Sequence, residues 1–133
     1  MSDSSRATLL ARWWEYQWLS DGNRHERKGL EQGEPQAVVE ARQTVSDLVD
    51  AGDPSVIHLL ADLVDVGPPV TAATIVGSGP LEDLLHAHGD RLIGDLEEQA
   101  RRSPSFRAAL AAVTIEKGHL DDPTFERLGA IAS

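Results

Sequence analysis

The chain has 133 residues and no cysteine, and its 12 basic and 22 acidic residues leave a formal charge of −10. The length suits one domain, spanning 1–133, with a core that folds without disulfides or metal. The missing cysteines exclude a disulfide framework, a thiol nucleophile, a thiolate zinc site and an iron–sulfur cluster.

The acidity opposes nonspecific binding to nucleic acid or anionic lipid. No apolar run approaches the roughly 18–20 residues that span a bilayer. Met1-Ser2-Asp3-Ser4-Ser5 lacks the basic start and apolar stretch of a secretory signal. The expectation is a cytoplasmic protein without a cofactor.

In chain order, a first helix is expected over Ser5–Ser20. Leu10, Trp14 and Trp18 form one line on it, and Leu9, Trp13 and Tyr16 the adjacent one. Residues 22–34 hold three glycines and one leucine, which predicts a flexible loop without a core. Pro35 opens a second helix that ends before Gly52, with Val38, Ala41, Val45 and Leu48 as its buried stripe and Val49 beside it. Pro54 opens a third, ending before Gly67, with Val56, Ile57, Leu60, Leu63 and Val64 inward. The link Gly52-Asp53 is short enough to make these two an antiparallel hairpin.

Residues 70–76 read as either a short helix or an isolated strand. With no partner strand in view, the helix is favoured. Gly77-Ser78-Gly79 reads as a turn. Pro80 then opens a helix that stops near Gly89, and Asp90 caps the next, with Leu92, Ile93, Leu96 and Ala100 inward. Ser103-Pro104 opens another, through Phe106, Ala109, Leu110 and Val113. Asp122-Pro123 opens a last one, with Phe125, Leu128 and Ile131. In Asp53-Pro54, Ser103-Pro104 and Asp122-Pro123 a capping side chain precedes a proline that has no amide to lose. The fold class is all-α: six to eight short antiparallel helices in a compact bundle or a small HEAT-like array, without a sequence repeat.

Gly79-Pro80-Leu81-Glu82-Asp83-Leu84-Leu85, followed by His88-Gly89, and Pro104-Ser105-Phe106-Arg107-Ala108-Ala109-Leu110 resemble the signature of a bacterial family of uncharacterised small proteins. The resemblance covers about residues 75–113. That family's pattern has a tryptophan soon after the second motif, where this chain reads Val113-Thr114-Ile115. The resemblance implies a helical fold and no known activity.

Three constellations carry chemistry. Glu82 and Asp83 suit the positive start of a helix. With His86 they also make a carboxylate–imidazole cluster at i, i+3 and i, i+4. His58, Asp62 and Asp65 repeat that spacing. His58, Asp62, Glu82, Asp83 and His86 are therefore candidate metal ligands or acid–base groups, although the further glutamates of a di-metal bundle are missing. No nucleophile elbow, phosphate loop or dinucleotide fingerprint is present. In the first helix, Trp13 or Trp18 is a candidate binding anchor, against the simpler reading that both rings pack in the core.

The third constellation is acidic. Residues 34–65 hold seven acids and one base, Arg42, whereas Arg24, Arg27 and Lys28 face only Glu26 just before. Asp47 and Asp50 lie in the last turn of the second helix, and Asp62 and Asp65 in the last turn of the third. Carboxylates there oppose the helix dipole at a cost of a few tenths to about 1 kcal/mol each. Repeated breaches of a local rule point to function; a merely solvated face is the plainer explanation.

The sequence therefore reads best as an acidic helical module that binds a basic protein. By analogy with small acidic inhibitors, an immunity-type role fits this profile. The alternatives are a metal-binding protein or hydrolase using the histidine–carboxylate pairs, and a structural homodimer formed through the first helix.

Overall fold

The computed structural model describes residues 3–21, 36–116 and 118–132, and the side chains of 3–4, 18–21, 36–37 and 132 lie outside the description. The described residues are all-helical, without a strand. The helices are α1 (Asp3–Asp21), α2 (Gln36–Ala51), α3 (Ser55–Val66), α4 (Ala72–Val76), α5 (Glu82–Arg102), α6 (Pro104–Ala111) and α7 (Asp122–Ala132). Residues 70–76 thus contribute a helix, as favoured from the sequence. The loop expected at 22–34 lies outside the described residues. The chain divides into two compact units, Met1–Asp47 and Leu48–Ser133.

In the first unit, Leu9, Leu10 and Trp13 of α1 and Val38, Ala41 and Val45 of α2 are buried. The Trp13 and Trp14 rings meet edge to face with centroids 4.9 Å apart, and the Arg42 guanidinium lies 5.1 Å over the Tyr16 ring. Both are favourable aromatic geometries. Trp13 is only 2% exposed. It is core, and the expectation that it anchors a partner is corrected: its indole is already consumed by packing. The Trp18 side chain lies outside the described residues.

The second unit begins in the last turn of α2. Gly52 ends that helix at φ 67°, the left-handed conformation that favours glycine. Next, the Asp53 carboxylate accepts a hydrogen bond from the Ser55 amide at 2.9 Å. That bond, with a second from the Ser55 side chain, holds the Asp53 carboxyl below the usual carboxylate range. A depressed folded-state pKa stabilises above the unfolded value and loses that contribution as pH falls through the folded one. Melting temperature should therefore fall more steeply on the acid side in the wild type than in Asp53→Asn, whose amide still caps. Parallel slopes would show that the carboxylate is not the titrating group.

α3 buries Val56, Ile57, Leu59, Leu60, Ala61, Leu63 and Val64, most of its circumference. Beyond it, Gly77–Leu81 forms a kinked, π-wound turn between two helices, where Gly79 leaves helical dihedrals (φ −113°, ψ −108°). Pro80 supplies no amide there, so the winding cannot stay regular. The turn read from the sequence at 77–79 is this kink between α4 and α5.

A second correction concerns α5, which runs unbroken from Glu82 to Arg102 through Gly89. A Cβ at Gly89 would meet Leu120 Cδ2 at 2.6 Å. The glycine makes a notch for Leu120 and does not stop the helix. Asp90 caps no helix either; its Oδ1 accepts from the Asp121 amide at 2.9 Å, pinning the 113–121 connection.

Ser103 caps as expected, its Oγ accepting from the Phe106 amide at 3.1 Å. α6 then packs on α3, α4, the π turn, α5 and α7. α7 is also joined to α5 by the Arg127–Glu97 ion pair, which holds the Glu97 carboxyl below its usual range.

Candidate functional site

α3 leaves one polar stripe. His58, Asp62 and Asp65 stand at i, i+4 and i+7, one helical face. His58 and Asp65 are exposed and Asp62 is half-buried, while the other faces of the helix are filled by core residues. The Asp65 carboxylate accepts a hydrogen bond from Ser105 Oγ at the start of α6. A neutral donor leaves its charge intact.

Just past the stripe the chain turns through Gly67-Pro68-Pro69. There Val66 is 57% and Val70 90% exposed, the large hydrophobics left exposed among the described residues. Pro68 and Pro69 are exposed as well. Two aliphatic side chains in water stand out in a unit where Leu60, Leu63, Leu84, Leu85 and Leu96 are wholly buried.

At the other end of the stripe lies a cleft of about 390 Å³, walled by Ile57 and His58 from α3 and by Asp95, Glu98, Gln99 and Arg102 from α5. Arg102 is engaged: its Nη2 lies 2.9 Å from Glu98 Oε1, and Arg101 takes the other oxygen at 3.3 Å. Gln99 is different. Its Oε1 is buried without a hydrogen-bond partner, which costs about 1–3 kcal/mol relative to a satisfied amide. Asp95, one turn earlier, is exposed and has no hydrogen bond or ion pair among the described residues.

The remaining predicted residues are placed elsewhere. Asp47 belongs to the first unit and accepts from Gln43 Nε2 at 2.8 Å. At the end of α2, the Asp50 carbonyl accepts from His88 Nε2 at 2.9 Å and the Gly52 carbonyl from Arg91 Nη2 at 2.6 Å. Arg91 Nη2 also lies 3.3 Å from His88 Nδ1, which makes Nδ1 the acceptor and Nε2 the protonated nitrogen. The negative end of α2 is thus complemented by donors from α5. Those donors reach backbone carbonyls; the Asp47 and Asp50 carboxylates themselves are exposed.

The candidate metal ligands do not converge. His58 and Asp62 stand on α3, whereas Glu82, Asp83 and His86 stand in the first turns of α5. Glu82 Oε1 accepts from the Thr114 amide at 3.2 Å. The His86 ring lies 4.8 Å from that of His119, a neighbour that no sequence spacing announces. Among the described residues no three histidine, aspartate or glutamate side chains are grouped to hold a metal.

Asp95 and Gln99 are the residues that sequence reading missed. Their only linear signal is the i, i+4 spacing in α5. No helix among the described residues is long and apolar enough to cross a membrane.

Residues 30–133 match a family of unknown function, DUF6869, and the chain belongs to that family. No curated protein and no solved structure matches it.

Proposed function

We propose that this DUF6869 member is an acidic helical protein-binding module, and that its second unit docks a basic protein along the outer stripe of α3. The observation that carries this reading is the exposure of Val66 and Val70 in the segment that follows Asp65 in the chain. An apolar anchor next to carboxylates is the usual composition of an interface centre and its polar rim. A net charge of −10 favours a cationic partner and speeds its approach. An inhibitor of the immunity type remains the functional class that this profile fits by analogy.

The test uses the basic protein recovered from host extract on the immobilised chain, with affinity then measured in solution at several salt concentrations. The double variant Asp62→Asn/Asp65→Asn should weaken binding about tenfold and flatten its salt dependence, as expected when rim charges are lost. Val70→Ser should weaken binding and leave the salt slope unchanged. If both variants bind like the wild type, the face of α3 is not the docking surface.

A further inference from the structure

We propose that His86 and His119 form a two-imidazole site for a divalent late transition-metal ion, of the zinc or nickel class, and that the bound ion staples the 113–121 connection to α5. The site uses no residue of the α3 stripe, so it stands or falls independently of the docking reading.

His86 belongs to α5 and His119 to the connection that leads into α7, yet their rings lie 4.8 Å apart at an angle of 53°. A metal–imidazole bond of about 2.1 Å puts each ring centroid about 3.2 Å from the ion. Two such rings are then about 4.5 Å apart at a right-angled pair of ligands and about 5.2 Å apart at a tetrahedral pair. The observed spacing falls between the two, so ring rotation alone can bring one nitrogen of each histidine to a shared ion.

The backbone is already held in place. Glu82, His86, Gly89 and Asp90 recur at helical spacing and meet the connection in succession. Glu82 Oε1 accepts from the Thr114 amide at 3.2 Å, Leu120 fills the notch at Gly89, and Asp90 Oδ1 accepts from the Asp121 amide at 2.9 Å. His119 is therefore fixed opposite His86 between anchors on either side, and little chain entropy is left to lose when the ion binds.

Charge favours a cation. Residues 82–90 hold three carboxylates and no Lys or Arg, and residues 115–123 hold three carboxylates against Lys117. Imidazole nitrogen selects the class, since zinc, copper and nickel take it readily whereas magnesium and calcium require oxygen. Both histidines are exposed, so an ion reaches them from solvent and water completes its shell. With two protein donors the ion binds reversibly, unlike the closed four-ligand centre of a structural zinc site.

The experiment titrates ZnCl2 into the chelator-treated full chain, followed by calorimetry and by NMR of the histidine rings. The expected result is saturable binding of one ion per chain, with the His86 and His119 signals shifting together and excess MgCl2 without effect. His86→Gln and His119→Gln should each weaken binding by at least about tenfold, the lower end of what losing even an outer-shell partner costs. His58→Gln should leave it unchanged. Both substituted positions are exposed, so melting temperatures without zinc should match the wild type. At free zinc about a hundred times the Kd, the Thr114 and Asp121 amides should exchange with solvent up to about a hundredfold more slowly, as follows when only the docked connection binds the ion.

Absence of saturable binding would overturn the site. So would equal affinity in either of the His86 and His119 variants, or an equal loss in His58→Gln, each of which would show an adventitious ion only. Amide exchange that zinc saturation leaves unchanged would overturn the staple.

Discussion

Phe106→Ala should destabilise the chain by about 3–5 kcal/mol, the range for removing a fully buried aromatic ring. Phe106 is 0% exposed. It sits in the first turn of α6, the short helix that touches α3, α4, the π turn, α5 and α7. Truncation therefore opens a cavity where five elements meet, and none can close it alone. Against a typical total of about 5–15 kcal/mol, the loss removes a fifth or more of the stability. Urea unfolding measures it as a lower midpoint, with Phe106→Leu falling in between. A midpoint unchanged in Phe106→Ala would mean that α6 is not the hub of the second unit.

Gly77→Ala should also destabilise, by about 1–3 kcal/mol, against the usual trend. Gly77 has helical dihedrals (φ −63°, ψ −48°), and at an open helical site alanine in place of glycine gains up to about 1 kcal/mol. Here the new methyl would overlap the Ala109 carbonyl oxygen and approach Ala112 Cβ at 2.9 Å. A backbone carbonyl in a packed helix cannot move aside as a side-chain tip can. Gly94→Ala is the control, since its nearest neighbour is the flexible tip of Arg127 at 4.0 Å; it should be neutral or stabilising. If Gly77→Ala stabilises as well, the close approach of the π turn to α6 is wrong.

The two glycines of α5 and the π turn show where linear reading stops. Ser103-Pro104 could be recognised as a helix start because cap, proline and recipient amide lie within four residues. Gly89-Asp90 has the same appearance of a stop followed by a cap. Its partners, Leu120 and Asp121, come from some thirty residues away, and they turn a break signal into a packing notch. The candidate site divides in the same way. The stripe His58, Asp62 and Asp65 follows from spacing on α3 alone. The orphaned oxygen of Gln99 has no linear signature, because lacking a partner is a property of everything around an atom.

The acidic helix ends make the same distinction. Composition and spacing show carboxylates in the last turns of α2 and α3. They do not show that His88 and Arg91 reach the carbonyls closing α2, while Asp65 receives only a hydroxyl.

The sequence by itself determined the all-helical class, most helix starts, the buried stripes of α2 and α3 and the acidity, since each depends on residues within one or two turns of each other. Only the tertiary structure decided that α5 is unbroken, that Trp13 is core, which helix end receives donors from afar, and that Val66 and Val70 remain in water. Those outcomes depend on which side chains distant in the chain occupy the same few ångströms, and close packing and hydrogen-bond pairing settle that only once the helices have met.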